Sequence, residues 1–287
     1  MEIQNLLHCM AADEATSETI FGAQYYFYYS IIYVFVFLFG ACVGSFLNVC
    51  IYRLPKEESL IKRNSHCMSC GTEIKHRDLI PILSWCLLRG KCRACGAKIS
   101  ARYTVVETLN ALVWVFAAYK LNVLMHPVNF VLTALILSAL IVVFFMDWDT
   151  QLISTYVVAF ILLIAIIYYA FNHEFEPELS SRIIGFFIVS VPMLLIELLS
   201  KGKAMGRGDV YLMAASGFFL GIQNTLVALA IGLITGSIAG LIIKYKTNRS
   251  DFAFGPWLSL GVAIAIFYGN TFADWYMEFT HLNETLA

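Results

Sequence analysis

Charge is scarce in this sequence. Only 14% of its 287 residues are Asp, Glu, Lys or Arg, where a soluble domain carries about 25%. Repeated apolar runs stand in their place, of about 18 residues or more, which a soluble core does not need. An ordinary soluble domain is excluded, and the chain reads as a polytopic membrane protein. Lys and Arg are absent from the first 24 residues. Without a positively charged leading region, that polar, acidic start is not expected to be a cleavable signal peptide. Low-complexity tracts are missing too, and no nucleic acid is expected among the partners.

The apolar runs predict an all-α fold with about eight transmembrane helices. They lie at roughly 28–51, 104–121, 128–147, 153–172, 182–200, 209–221, 223–244 and 254–272. The sixth is short and holds Gly217 and Gly221. The seventh and eighth are rich in Gly and Ala, which suits close helix packing in a bilayer.

Basic residues are missing from one side of these spans. Seventeen of the nineteen Lys and Arg fall after span one, after span five or after span seven, and only Lys120 and Arg182 fall opposite. Asp13, Glu14, Glu18, Glu174, Glu176, Glu178, Asp274, Glu278 and Glu284 share the basic-poor side. The positive-inside rule then makes 53–103 cytoplasmic and both termini external. Three units follow: an external N-terminus with the first helix (1–52), a cytoplasmic loop domain (53–103) and a seven-helix membrane domain (104–287).

The loop contains "CMSCGTEI" from Cys67 and "CRACGAKI" from Cys92, both of the form C-x-x-C-G-x-x-I. Each turn points two thiolates at one spot, and the following glycine permits the tight backbone. Two such turns, 21 residues apart, match a four-cysteine zinc site made by Cys67, Cys70, Cys92 and Cys95. Redox disulfides are the other use of this pattern, but a cytoplasmic loop sits where thiols stay reduced. With all four ligands from protein the zinc is structural, and a loop this small draws much of its folding energy from the metal. Cys9, Cys42, Cys50 and Cys86 lack partners at ligand spacing and read mostly as small buried hydrophobes.

Five carboxylates lie in or beside spans, where ionisable groups are costly and functional by default. Glu107 and Glu197 have basic residues close in sequence, Arg102 and Lys201, with which to pair. Asp147 and Asp149 end the third span, and Asp209 begins the sixth behind Gly206 and Gly208; all three fall on the cytoplasmic side. Two carboxylates brought together share a proton, because like charges cannot both ionise cheaply at short range. One then activates water while the protonated partner polarises a peptide carbonyl. The glycines are expected to free the backbone there and let a substrate chain approach. The alternative is that Asp209 only caps its helix. These patterns do not choose between Asp147 and Asp149.

At this point the sequence resembles the bacterial type IV prepilin leader peptidases. "VGSFLNVCIYRLP" (43–55), "GKCRACGAKISARYTVVE" (90–107), "MDWDTQLIS" (146–154), "GRGDVYLMAASGFFLG" (206–221) and "FAFGPWLSLG" (252–261) resemble the family's segments in order. The resemblance implies a multi-pass bacterial inner-membrane aspartic endopeptidase with its active site and zinc loop facing the cytoplasm. It implies removal of the positively charged leader from type IV prepilins and type II secretion pseudopilins, with Asp147 and Asp209 as the catalytic pair. Asp149, Gly206 and Gly208 would then support the site. Members with the cysteine loop commonly also N-methylate the new N-terminus with S-adenosylmethionine, and that second activity rests on resemblance alone. "GSFLN" is too poor in glycine for a nucleotide loop and reads as helix packing. Ile153, Ser154 and Thr155 stand where the family has Leu-Pro-Asp, and Thr104 where it has Pro.

Other classes share parts of this pattern. A presenilin-like intramembrane protease shares G-x-G-D, but is expected to lack the cysteine loop. A proton-coupled transporter would place its carboxylates near the bilayer midplane rather than crowd them on one face. A non-enzymatic scaffold would use the zinc loop to dock a partner and would not need the aspartates. The sequence leaves the oligomeric state open.

Overall fold

In the computed structural model the chain is all α-helical. The structure describes residues 2–62, 64–172, 178–202, 205–247 and 252–280, with side chains from residue 27 onward except those of residues 76 and 247. Eight helices occur among them: α1 (Glu2–Arg53), α2 (Leu83–Leu87), α3 (Arg102–Lys120), α4 (Pro127–Thr150), α5 (Thr155–Asn172), α6 (Leu179–Ser200), α7 (Arg207–Thr247) and α8 (Gly255–Phe279). No sheet forms among the described residues, only two isolated bridges in the cysteine loop.

Six helices are long and apolar enough to cross a membrane: α1 from Phe27, α4, α5, α6, α7 and α8. The two remaining expected spans are accounted for differently. The second is α3, whose 19 residues include Arg102, Glu107 and Lys120 and which is not among the six. The sixth and seventh run together as α7, which breaks at Gly221. Residues 1–26, including Cys9, and most of the expected acidic positions on the basic-poor side lie outside the described side chains.

The break in α7 follows from its glycine. Gly221 has φ 74° and ψ −178°, a conformation closed to residues with a Cβ. A helix that stops leaves carbonyls without partners. Here Arg182 of α6, fully buried, donates Nη1–H to the carbonyls of Phe218 and Phe219 at 3.2 and 3.0 Å. Gly185 and Gly217 let α6 and α7 touch backbone to backbone: a Cβ on Gly217 would lie 2.2 Å from the Gly185 oxygen. Small residues and interhelical hydrogen bonds do this work in a bilayer, where apolar burial drives nothing between helices.

At the other end, α1 and α3 are joined in the same way. A Cβ on Gly44 would lie 2.7 Å from the Glu107 Cα, so the helix-packing reading of "GSFLN" holds. Asn110 donates to the Gly40 carbonyl at 2.7 Å and accepts from Ser138 of α4 at 2.8 Å. Helix α4 is the hub, with most of its length buried among α1, α3, α5 and α8.

Candidate active site and metal-binding loop

Three helix ends meet at one place: the C-terminus of α4 and the N-termini of α7 and α8. Asp147 lies in the last turn of α4 and Asp209 in the first turn of α7. Both are buried, 5% and 8% exposed, and near enough for the Asp147 charge to act on Asp209. The C-terminal end of its own helix is a poor place for a carboxylate, but Asp147 faces the N-terminus of α8, whose positive end suits it. The Gly255 amide donates to it. Asp209 accepts from the Gly206 amide just ahead of its helix, as a first-turn acid does in a capping box. That bond does not exhaust it: Asp209 Oδ1 is buried with no hydrogen-bond partner among the described residues. A buried acceptor left open in this way calls for a ligand, a water or a proton.

The glycines act otherwise than the sequence suggests. Neither Gly206 nor Gly208 adopts a left-handed conformation, so they are not hinges of that kind. Gly208 is small because Ile153 packs on it; a Cβ there would lie 2.7 Å from the Ile153 Cβ. Among the described residues, only Asp209 Oδ2 lies within reach of a Cβ on Gly206, at 3.7 Å.

Asp149 is not brought to this pair. Two positions along a helix turn the side chain by about 200°, and Asp149 instead meets Arg102 of α3 at 2.5 Å. Arg102 also donates to the Phe145 carbonyl at 3.3 Å, so Asp149 ties α3 to the end of α4. The expected partner of Glu107 is thereby taken. Glu107 accepts from the Ile82 amide at 2.7 Å instead. Glu197 pairs with Arg207 at 3.0 Å, rather than with Lys201, because Arg207 begins α7 directly across from it. That pair anchors the helix start that carries Asp209.

Two residues of the site carried no assigned role in the sequence: Ile153 and Gly255. Ile153 fills the space between Gly208 and Gly255. A Gly-Pro step opening a helix was the available signal for Gly255.

The cysteine loop folds as two copies of one turn. Gly71 and Gly96 have φ +70° and +69°. Their amides bond back to the carbonyls of Cys67 and Cys92 at 2.8 and 2.9 Å, and the sequence duplication is a structural one. Arg93 and Asp78 add a two-pronged ion pair, at 2.9 and 2.7 Å. The sulfurs of Cys67, Cys70, Cys92 and Cys95 all lie within 4.8 Å of one another, with Cys67 and Cys95 3.9 Å apart. A tetrahedral thiolate site with bonds of about 2.3 Å has edges of about 3.8 Å, so the donor set fits such a metal. Amides of Cys70 and Ser69 hold the Cys67 thiol below its ordinary range, and those of Cys95 and Ala94 do the same for Cys92. An Ala97 amide draws Cys95 down, but Cys70 and the other crowding thiols outweigh it and push Cys95 up to about 11. A shared cation relieves that crowding. Of the remaining cysteines among the described side chains only Cys50 is buried. Cys42 and Cys86 are exposed, which corrects the expectation for them: one lies on an outward face of α1 and the other in the short α2.

Comparison with known proteins gives matches along most of the chain. The profile of the Bacterial Peptidase A24 N-terminal domain matches residues 38–121, and that of the Type IV leader peptidase family matches residues 134–241. The chain is 32% identical over 219 residues to the "Prepilin leader peptidase/N-methyltransferase" of Myxococcus xanthus, covering 76% of this chain and 64% of that protein's length. It is 30% identical over 274 residues to the protein of the same name from Aeromonas salmonicida, covering 85% of this chain and 93% of the relative. It is 34% identical over 252 residues to the "Type 4 prepilin-like proteins leader peptide-processing enzyme" of Escherichia coli O78:H11, covering 80% and 91%. No solved structure matches the chain.

Proposed function

The chain belongs to the type IV leader peptidase family, and from that membership we propose that it is a membrane aspartic endopeptidase acting through Asp147 and Asp209. Its substrates are type IV prepilins and type II secretion pseudopilins, from which it removes the positively charged leader at the cytoplasmic face of the inner membrane. What carries the reading is the convergence of the two buried aspartates at three helix ends, with Asp209 Oδ1 left open.

Two buried carboxylates in mutual reach hold one proton between them. The ionised member takes a proton from water, and the resulting hydroxide attacks the scissile carbonyl carbon. The protonated member gives its hydrogen to the carbonyl oxygen, which forms the tetrahedral intermediate. Return of that proton and cleavage of the C–N bond release the leader as an acid and the mature pilin as an amine, which takes up the proton held by the first carboxylate. Gly255 steadies Asp147 from the α8 side. Arg207, held by Glu197, fixes the α7 start. Among the described residues little packs on Gly206, which leaves room there for the substrate backbone.

Eight crossings, with α3 as one and the two halves of α7 as two more, put the basic loops and all three aspartates on the cytoplasmic side. Residues 53–103 form a zinc-stapled domain there, in which Cys67, Cys70, Cys92 and Cys95 would hold the metal and the metal would supply folding energy. The relatives named N-methyltransferases support a second activity, transfer of a methyl group from S-adenosylmethionine to the new N-terminal amine.

The test is incubation of the purified protein with a membrane-embedded prepilin and S-adenosylmethionine, followed by mass spectrometry of the pilin N-terminus. Wild type yields a cut, methylated N-terminus. Asp147→Asn and Asp209→Asn each lower cleavage by about a thousandfold or more, as loss of a chemical group does. Retained cleavage in both variants overturns the dyad.

A further inference from the structure

Beside Gly255, the glycine that touches Asp147, a cleft of about 470 Å³ opens. Phe252 and Phe254 line it from the segment ahead of α8, and Gly236, Gly240, Leu241 and Lys244 line it from the last turns of α7. Neither a cysteine nor an aspartate does. Two glycines set its shape. At Gly236 the two sides meet, since a Cβ there would lie 2.8 Å from the Phe254 ring. At Gly240 they part: among the described residues, the nearest atoms to a Cβ belong to the Phe252 ring, 3.9 Å away. Leu241 is exposed, so the cleft is open to the outside of the bundle.

An aromatic row joins this cleft to the aspartates. Trp148, the residue after Asp147, stacks on Phe144 with ring centres 6.2 Å apart. It meets Trp257 of α8 edge-on at 6.4 Å, and Trp257 lies nearly parallel to Phe252 at 6.4 Å. Trp148 is exposed, so the row has an open face. Trp257 Nε1–H is buried with no hydrogen-bond partner among the described residues, although a buried indole donor ordinarily has one.

We propose that this cleft is a specificity pocket of the peptidase, which takes a bulky apolar side chain from the first turn of the substrate's membrane helix, on the mature side of the scissile bond; the assignment rests on the peptidase part of the proposed function. The lining suits that occupant, being apolar and aromatic apart from Lys244 and Ser237. Lys244 repels the positively charged leader, so the chain binds in one direction, with its leader away from the cleft. A substrate anchored in the bilayer reaches the aspartates from the side, along the aromatic row, and its carbonyls offer Trp257 the missing acceptor. The pocket also supplies what the reacting end lacks. Little among the described residues packs on Gly206, so that end holds a chain weakly by itself. A side chain held nearby keeps the scissile bond within reach of both carboxylates, and binding energy of this remote kind goes into orientation.

The experiment uses full-length protein in nanodiscs and two prepilins, one natural and one with alanine at every bulky apolar position of the first mature turn. Wild type cuts the natural substrate with kcat/KM at least about tenfold above that for the alanine substrate. Gly240→Leu, whose side chain grows into the cleft, lowers kcat/KM for the natural substrate by about ten- to a hundredfold. It leaves the alanine substrate unchanged, which also shows that the variant is folded. A photoreactive phenylalanine analogue placed in that turn of the prepilin, which depends on no enzyme variant, cross-links to 236–244 or 252–257 of the wild type. No preference in the wild type, the full preference kept in Gly240→Leu, or label confined to other segments overturns the pocket but leaves the peptidase reading intact. Where the variant cuts neither substrate, the cross-link decides. A wild type that cuts neither prepilin overturns the peptidase reading and this pocket with it.

Discussion

Gly255 stands hard against Asp147: a Cβ at position 255 would lie 2.7 Å from the Asp147 Oδ2, the same carboxylate its amide serves. Gly255→Ala therefore displaces the carboxylate it supports. Misplacing a reacting group by about 1 Å can cost on the order of a hundredfold in rate. We expect cleavage to fall between tenfold and a hundredfold in Gly255→Ala, with metal content unchanged. A rate assay beside elemental analysis checks both halves, and wild-type cleavage would show that the contact does not matter.

Asp149 separates from Asp147 by function. Its partner Arg102 is on α3, and both side chains are about a third exposed, so solvent screening leaves the pair worth at most about 1 kcal/mol. Asp149→Asn is expected to keep cleavage within about tenfold of wild type and to lower the melting temperature slightly. A thousandfold loss, matching Asp147→Asn, would place Asp149 in the chemistry after all.

Metal removal acts on the loop and spares the bundle. A chelator is expected to strip one zinc per chain and to make 53–103 sensitive to protease, while helical circular dichroism changes little. Each of Cys67→Ser and Cys92→Ser lowers zinc content. Acidification has the same sign as chelation, because each thiolate must take up a proton to release the metal. The amides that hold Cys67 and Cys92 below the ordinary thiol range move that release to lower pH. A loop equally protected without metal would contradict the structural role.

Arg182→Met leaves the Phe218 and Phe219 carbonyls unserved inside the bundle. Hydrogen bonds to a charged group are worth about 1.5–3 kcal/mol, so a loss of about 3 kcal/mol is expected, read as a drop in thermal unfolding temperature. Gly221→Ala strains the same break from the other side. Normal melting in both variants would mean that the break carries no load.

Much of this protein was legible without coordinates because it is encoded locally. Apolar runs of membrane length show as helices wherever they occur, and charge sorting between them orients the set. The C-x-x-C-G turns are self-contained: each glycine takes its left-handed conformation within five residues of the cysteines it serves, so spacing alone found Cys67, Cys70, Cys92 and Cys95. The merging of two expected spans into α7 was less visible, since the break at Gly221 depends on an arginine forty residues earlier.

The sequence by itself determined the helical membrane fold, the cysteine cluster and the three aspartates that could react. Tertiary structure decided which of them meet. Asp147 and Asp149 sit on opposed faces of one helix, and only the packing of α4 against α8, which in turn packs on α7, turns Asp147 inward and leaves Asp149 for Arg102. The same packing makes Gly208 a seat for Ile153 rather than a hinge and brings Gly255 to Asp147 across more than a hundred residues. A carboxylate's partners are set by the helices around it, and no local pattern contains them.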